Sequence, residues 1–390
     1  MKSLVQFFAG LWVFFSFLPA PAATNKLSPE ASISILTFGS SPHELYAAFG
    51  HSGIRLCDPV NGYNRVYNYG TFDYLQPLFY LNFAKGYLYY RLSVDPYLPL
   101  REFYEENNRF IHEQVLDLTQ EQKEKIADFL EKNMQPENQQ YLYDYFYNNC
   151  ATKIRDVFAE TLKDDIIFSG DHIKTHYTIR QLTDIYLKQQ PWGDLGIDIC
   201  LGLPMDKTAS PYEYMFLPDY LEAGFAHATI RREGQVIPLV KEKRIIFEAA
   251  PEKLPFHWYH PYLVFGMTLF AALFVSCRER KKKPVSHLFD KLLFGAAGSF
   301  GVLLTLLWTL TDHHAAANNF NLLWALPTHL LPLWFGGFRK PWGRIYFRVT
   351  SVICVLLFIA WAFLPQQLNV YLIPVILAIF VRSLALGLRK

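Results

Sequence analysis

The sequence has no excess of charge of either sign. Its 37 Lys and Arg side chains nearly balance 35 Asp and Glu side chains, which gives a formal net charge of +2. Proteins that bind nucleic acid need a basic surface against phosphates, so the composition gives no support to that class of partner. Charged residues make up only 18% of the chain and hydrophobic ones 51%. This balance is too apolar for an ordinary soluble protein and too charged for one that is membrane throughout.

Cysteine is also scarce, with five in 390 residues. Cys57, Cys150 and Cys200 precede the apolar C-terminal region, so at least one of these three thiols is unpaired. A disulfide between Cys57 and Cys200 is an open alternative. The sequence shows no lipoprotein-type cysteine after its N-terminal apolar segment, no internal repeat and no low-complexity segment.

The first 23 residues have the pattern of a secretory signal peptide. Lys2 supplies the basic start, Leu4 to Leu18 the apolar stretch, and Pro19 to Ala23 the small residues of a cleavage site. The alternative is an anchor helix that is not cleaved. Under both interpretations the following domain, predicted over residues 24–255, is exported.

Residues 256–390 contain five apolar stretches, and most of them approach the roughly 20 residues needed to cross a bilayer. The third is the weakest prediction because it is short and contains Pro327 and Pro332. We therefore predict a multi-span α-helical membrane domain of about five helices. The stretches are Trp258 to Val275, Leu292 to Leu310, Leu322 to Phe335, Thr350 to Leu364 and Val370 to Leu386.

Positive charge alternates between the connecting loops. Residues 278–283 and 339–348 carry Lys and Arg, and Arg389 and Lys390 end the chain, whereas residues 311–321 and 365–369 contain neither type. The positive-inside rule then places residues 24–255 outside the cytoplasm. The signal sequence indicates the same side independently.

The exported domain is predicted to be α+β. Alternating apolar residues indicate strands, and the Asn61-Gly62 and Glu233-Gly234 pairs indicate hairpin turns. Strands are predicted over Ile33 to Phe38, Gly50 to Leu56, Arg65 to Tyr69, Gly86 to Val94 and Glu113 to Leu118, a late hairpin over Ala226 to Glu248, and helices over Gln120 to Asn133, Ala151 to Leu162 and Thr178 to Gln189.

Cys150 stands where one of these helices begins, within Asn148-Asn149-Cys150-Ala151-Thr152, and Asn148 or Asn149 is expected to be the N-cap of that helix. A helix N-terminus offers unpaired N–H groups and the positive end of the helix dipole, and both stabilise a thiolate or an oxyanion. The alternative is a small buried hydrophobe, a common role of free cysteine.

His51 opens a strand between small residues, where an imidazole can accept a thiol proton near neutral pH. Alone, a histidine at a strand end is more often bonded to the backbone. Together, His51 and Cys150 supply a base and a nucleophile for acyl transfer through a thioester. Asn68, on the next predicted strand, is the expected orienting partner, with Asp58 as its competitor.

A polar loop at the outer membrane face is the other predicted site. Its side chains could bind a lipid headgroup, contact the exported domain, or simply form a solvated loop with Trp324 as an interfacial anchor. We predict substrate-binding roles for Asn149, Asp312, His314, Asn319 and Asn321.

Two further patterns of residues have a functional and a structural interpretation. His172 and His176 have the i, i+4 spacing of a zinc pair, but nothing completes a ligand set, so no metal and no cofactor is predicted. A row of aromatic residues could line a lipid-facing groove or belong to the core: Tyr80, Phe83, Tyr87, Tyr89 and Tyr90.

The order of histidine before cysteine resembles the circularly permuted papain-like enzymes. These include lecithin:retinol acyltransferase and its relatives, which reverse the order found in NlpC-type cell-wall peptidases. In the acyltransferase relatives a second polar residue follows on the next strand, where this sequence has Asn68 instead of histidine.

A resemblance that covers nearly the whole chain is to the Lnb family of Bacteroidetes. It rests on Leu36 to Gly39, Phe49 to Arg55, Tyr67 to Gly70, Asn148 to Thr152 and the trailing spans. Members of that family are lipoprotein N-acyltransferases of the bacterial inner membrane, with a periplasmic thiol domain.

The resemblance implies that His51 and Cys150 form the catalytic pair. It also implies acyl transfer from a phospholipid to the N-terminal amine of a diacylated lipoprotein. Two other interpretations stay open: a thiol hydrolase (a phospholipase or an NlpC-type peptidase), or a membrane protein that binds lipoproteins without catalysis.

Overall fold

The structure is a computed structural model that describes residues 26–73, 75, 77–252, 258–281 and 286–389. A sheet-rich N-terminal part is followed by a helical C-terminal part. The predicted signal peptide, residues 1–23, lies outside the described residues. So does the predicted domain boundary at residues 255 and 256.

Seven antiparallel strands form the main sheet, in the order β10-β5-β1-β2-β3-β4-β6. Six of the seven residues of the interior strand β1 are buried, the polar Ser34 and Thr37 among them, because core clusters lie on both faces of the sheet. The strands are β1 Ser32–Phe38, β2 His51–Asp58, β3 Tyr63–Thr71, β4 Tyr89–Pro96, β5 Ile111–Leu116, β6 Gln140–Leu142, β7 Ile166–Ile167, β8 Thr229–Arg232, β9 Gln235–Pro238 and β10 Val240–Phe247.

Strands β7, β8 and β9 form a separate small sheet. The predicted late hairpin is confirmed as β8 and β9, and it turns through Glu233 and Gly234, both at positive φ. The chain then leaves this sheet, and β10 pairs with β5 at the edge of the main sheet. The sequence pattern did not indicate that change of partner.

Helices cover the sheet and build the C-terminal part. The predicted helices at residues 120, 151 and 178 are confirmed, whereas α1, α2, α6, α7 and α8 were not predicted. The helices are α1 Phe79–Lys85, α2 Tyr97–Glu106, α3 Gln120–Asn133, α4 Cys150–Leu162, α5 Ile179–Leu187, α6 Pro191–Cys200, α7 Pro211–Tyr214, α8 Pro218–Ala226, α9 Pro261–Arg280, α10 Leu288–Leu310, α11 Leu331–Trp334, α12 Pro341–Ala360 and α13 Ile373–Gly387.

Helix α4 packs its apolar face on the main sheet. Ile154, Val157 and Phe158 are buried in one core with Ile54 of β2 and Tyr67 of β3. Their spacing of three and four residues is the stripe that an amphipathic helix presents to a sheet. Because α4 begins at Cys150, this packing fixes the position of the thiol.

Four helical segments in the described residues are long and apolar enough to cross a membrane: Pro261–Arg280, Leu288–Leu310, Pro341–Phe363 and Val370–Gly387. The third predicted stretch, Leu322 to Phe335, is not one continuous helix. Proline breaks this stretch into 3₁₀ turns and the short α11, since Pro327 and Pro332 cannot donate helix hydrogen bonds.

The broken segment packs closely against α10. A Cβ at Gly301 would lie 2.1 Å from the Ala325 carbonyl oxygen, so only glycine permits this approach. Asn321, at its start, donates a hydrogen bond to the N-terminal part. Phe338, beyond its end, lies with its ring centroid 5.6 Å from that of His287, at the opposite end of α10. The segment therefore runs between the same two ends of the helical part as the four long helices.

A buried charge cluster joins three of those helices. Arg382 of α13 is fully buried, and its Nε donates to Asp290 of α10 at 2.6 Å. Its Nη2 donates to Glu279 of α9 at 2.9 Å. Arg382 does not snorkel to the membrane surface, because two carboxylates satisfy it inside the bundle.

The two parts of the chain contact each other through hydrogen bonds. The Asn319 amide donates to the Ile199 carbonyl at 2.8 Å, and Gln366 donates to the Leu201 carbonyl at 3.0 Å. The Gly202 N–H donates to the Ala315 carbonyl at 2.7 Å. The loops after α10 and α12 thus hold the region around α6.

Replacing Arg382 with alanine should destabilise the membrane part by about 3–5 kcal/mol, because Asp290 and Glu279 would remain buried without their cation. Thermal unfolding of the detergent-solubilised protein would measure this. The matched control is Arg280→Ala at the same end of the bundle, where the side chain is exposed and the expected change is under about 0.5 kcal/mol. Equal melting temperatures for the two variants would contradict the cluster's role.

Candidate active site

Cys150 is the first residue of α4, and its surroundings are built by the cap of that helix. The Asn149 side chain accepts from the Thr152 N–H at 2.9 Å, and the Thr152 hydroxyl accepts from the Asn149 N–H at 2.8 Å. This reciprocal capping box confirms Asn149 as the predicted N-cap. The Asn149 amide also donates to the Phe216 carbonyl.

Backbone donors point at the Cys150 thiol. The N–H groups of Ser52, Ala151 and Cys150 itself lower its pKa, but burial raises it more, and the net pKa is about 11. A lowered pKa was the expectation from the helix N-terminus alone. Burial outweighs that effect because it removes water from around the charged form. The resting thiol is therefore neutral.

His51 is the first residue of β2 and pairs with Phe38 of β1. Its Nε2 lies 3.2 Å from Asn68 Oδ1. The Asn68 Nδ2 donates to Asp95 Oδ2 at 2.6 Å, which fixes the orientation of the amide and turns its oxygen toward the imidazole. An acceptor at Nε2 favours the tautomer protonated there. Nδ1 then keeps the lone pair that a base needs.

The imidazole is held neutral. Burial lowers the pKa of His51 to about 4, the nearby Arg109 guanidinium lowers it too, and the hydrogen bond to Asn68 opposes them. Arg109 is itself buried, donating to the Gly39 carbonyl at 2.7 Å. The imidazole is therefore unprotonated above about pH 4, and the N–H of the following residue, Ser52, is one of the donors at the Cys150 thiol.

Two glycines leave room for this arrangement. A Cβ at Gly53 would lie 3.0 Å from Asn68 Oδ1 and would disturb the amide that orients His51. Gly70 adopts a φ of +94°, which favours glycine, and a Cβ there would lie 3.6 Å from the Cβ of Cys150. Strand β3 thus approaches the thiol directly.

Asp58, the alternative candidate for orienting His51, makes other contacts. Asp58 is buried at the end of β2, where it accepts from the Ser28 hydroxyl at 2.6 Å and from the Asn61 amide at 2.7 Å. These bonds close the turn that leads to β3. Its carboxylate is therefore structural, and Asn68 is the residue bonded to His51.

The predicted loop residues lie apart from the thiol. Asn319 and Asn321 are buried and donate to the Ile199 carbonyl, so their amides make the interdomain contact that was the second alternative for this loop. Asp312 and His314 are exposed. The Asp312 N–H donates to the Lys85 carbonyl at 2.8 Å. Substrate-binding roles for these side chains stay a prediction.

Three carboxylates form the group best suited to a cation among the described residues. One oxygen from each of Asp184, Asp194 and Asp198 lies within 4.8 Å of the others. Arg180 already pairs with Asp198 at 2.8 Å, and Asn369 donates to Asp194 and Asp198. Burial and the neighbouring carboxylates raise the pKa of Asp184 to about 8, so a shared proton relieves the repulsion.

The other metal and disulfide alternatives gain no support. His172 and His176 do not lie on a helix, so their i, i+4 spacing does not place them on one face. Cys57 and Cys200 are free thiols, and no disulfide joins them.

Comparison with known families agrees with the motifs. A family model described as the Lnb N-terminal periplasmic domain matches residues 20–184, and one described as the Lnb transmembrane domain matches residues 253–389. The chain belongs to the Lnb family. None of the curated proteins and none of the solved structures that were compared matches it.

The Lnb periplasmic match contains His51, Asn68 and Cys150, and the transmembrane match contains the loops after α10 and α12. Sequence reasoning missed two members of the site in this Lnb chain, Asp95 and Arg109. The signal for Asp95 was available: it is a carboxylate on the strand next to Asn68. Arg109 lies in a loop that no motif marked.

Alkylation of Cys150 should become about tenfold faster per pH unit through the neutral range without a plateau, because the fraction of thiolate grows toward a pKa of about 11. Site-resolved mass spectrometry after timed exposure to iodoacetamide would measure the rate. The exposed Cys277 in the same sample serves as the internal control. A plateau of the alkylation rate near neutral pH would show that Cys150 is a thiolate at rest and would contradict a neutral resting thiol.

Proposed function

We propose that this Lnb-family protein is a lipoprotein N-acyltransferase of the bacterial inner membrane, with its N-terminal part in the periplasm. One observation carries the proposal: the Asn68 amide bonds His51 on one side and Asp95 on the other, and the N–H of Ser52, the residue after His51, lies close enough to the Cys150 thiol to lower its pKa. Attachment to a helical membrane part favours lipid substrates over soluble ones. Membership of the Lnb family supplies the lipoprotein context.

In the first half-reaction the Cys150 sulfur attacks the ester carbonyl carbon of a phospholipid. The S–C bond forms and the C–O ester bond breaks. Nδ1 of His51 accepts the thiol proton and delivers it to the departing glycerol oxygen, so a lysophospholipid leaves. The N–H groups of Ser52 and Ala151 at the sulfur would stabilise the oxyanion that forms beside it.

In the second half-reaction the N-terminal amine of a diacylated lipoprotein attacks the thioester. The N–C bond forms and the S–C bond breaks. The amine proton passes through His51 back to the sulfur, which restores the neutral thiol. The residues described need no metal or cofactor for either half-reaction.

The same features support a permuted papain-like fold for the N-terminal part. An antiparallel sheet carries the histidine on one strand and its amide partner on the next, and the cysteine opens a later helix that packs on those strands. An amide such as Asn68 can orient a neutral His51 imidazole, which is what an enzyme that uses His51 as its base needs.

Deleting the gene should remove one acyl chain from the N-terminal cysteine of lipoproteins, measured by mass spectrometry of a model lipoprotein peptide. Wild type should restore the chain and Cys150→Ala should not. The matched control Cys57→Ala should restore it, since Cys57 is a thiol of the same domain outside the site. Restoration of the acyl chain by Cys150→Ala would refute the assignment of Cys150 as the nucleophile. If the peptide is unchanged after deletion, in a strain without a redundant acyltransferase, the protein would instead be assigned as a phospholipase or a wall peptidase.

Asp95 should act as a positioning residue. Asp95→Ala frees the Asn68 amide to rotate and should slow acylation of Cys150 about 10–100-fold, by analogy with other residues that orient catalytic groups. Asp95→Asn should restore the rate to within a few-fold because its amide oxygen accepts the same hydrogen bond. Mass spectrometry of samples quenched at successive times gives the rate of Cys150 acylation for each variant. Equal rates for Asp95→Ala and wild type would exclude the role.

A further inference from the structure

An apolar surface on the N-terminal part lies at the membrane end of the molecule. Residues 77–90 contain six aromatic side chains and a single charge, Lys85. On α1, Tyr80 is 70% exposed and Leu81 47% exposed. Soluble surfaces rarely gather exposed apolar side chains in this way unless they bind an apolar partner.

The loop that follows α10 holds α1 in place. Asp312 donates its N–H to the Lys85 carbonyl at 2.8 Å, and the His313 ring donates to the Phe83 carbonyl at 3.0 Å. A Cβ at Gly86 would lie 3.0 Å from the Asp312 carbonyl carbon, so this approach is close. Since α10 ends at Leu310, α1 lies level with the outer end of a predicted membrane helix.

Aromatic residues at the ends of the membrane helices mark the same level. Trp258, just before α9, is 70% exposed, and Trp308, near the end of α10, is 41% exposed. Tryptophan in such positions is typical of the interface between lipid and water. The exposed side chains of α1 therefore lie at the same level as these two tryptophans.

A row of aromatic rings connects α1 with the thiol. Successive ring centroids are 6.1 Å apart between Phe83 and Phe79, 6.0 Å between Phe79 and Phe72, 5.1 Å between Phe72 and Tyr90, and 4.3 Å between Tyr90 and Tyr143. We call these five residues the aromatic row.

The aromatic row ends at the site. A Cβ at Gly70 would contact Tyr143 Cε2 at 3.4 Å and Cys150 Cβ at 3.6 Å, so only a glycine separates the last ring from the thiol. Phe83 and Phe72 are 40% and 41% exposed, and Tyr90, between Phe72 and Tyr143, is 7% exposed. An apolar path thus leads from the membrane level into the domain.

We propose that Tyr80 and Leu81 of α1 insert into the outer leaflet, and that the aromatic row guides a phospholipid acyl chain from that leaflet to Cys150. The inference rests on the proposed function for its chemistry. It adds the entry route and the residues that give the site access to bilayer lipid. Lipid is the favoured occupant because the surface is continuous with the membrane helices through Asp312 and His313.

The test uses the full chain in phosphatidylethanolamine nanodiscs and compares wild type with a Tyr80→Asp, Leu81→Asp double variant. Both side chains are exposed, so the fold should tolerate the change. Acylation of Cys150 by nanodisc lipid should slow roughly tenfold or more, the factor that corresponds to about 1.4 kcal/mol. Acetylation of Cys150 by p-nitrophenyl acetate, which needs no membrane access, should change less than about twofold. The matched control Val236→Asp, at a 57% exposed position of β9, should change neither rate.

Equal acylation by nanodisc lipid in wild type and the double variant would overturn the route. An equal loss with both donors would also overturn it, since the damage would then lie at the thiol. If wild type takes no acyl chain from lipid, the proposed function fails. The membrane contact is then tested alone with the photo-crosslinking residue p-benzoylphenylalanine placed at position 80 or, as a control, at position 236. A phospholipid adduct at position 80 but not at position 236 supports insertion. The absence of an adduct at position 80 contradicts insertion.

Discussion

The antiparallel register across β2, β3 and β4 is the constraint on which the site depends. It aligns His51, Asn68 and Asp95 on three neighbouring strands, so that one hydrogen-bonded chain orients the imidazole. A slip of one residue would turn the Asn68 side chain to the other face and break both bonds. Gly53 permits the register because a larger residue would collide with the amide.

Burial sets the electrostatics around that chain. The Cys150 thiol is buried and the His51 imidazole is half-buried, and burial favours the neutral form of each, with pKa values of about 11 and about 4. Backbone N–H groups around Cys150 are aimed where negative charge would develop.

Much of the fold could be predicted from the sequence, but not all of it. Helix α4 and its cap followed from local periodicity and from Asn149, and positions 51, 68 and 150 followed from motif and strand order. The broken segment at Pro327 was flagged by its prolines but counted as a span. Asp95 and Arg109 were missed because strand pairing and a loop, neither of which is local in sequence, bring them to the site. The pKa of Cys150 was expected to fall, since burial cannot be read from a helix cap.

The central claim is that Cys150 carries the acyl chain. Intact-mass spectrometry of the purified protein after incubation with phosphatidylethanolamine, without a lipoprotein acceptor, tests it most directly. The account predicts a mass gain of one acyl chain that fragmentation places on Cys150 and that hydroxylamine removes, as expected of a thioester. An unmodified Cys150 under conditions where added lipoprotein is N-acylated would contradict it.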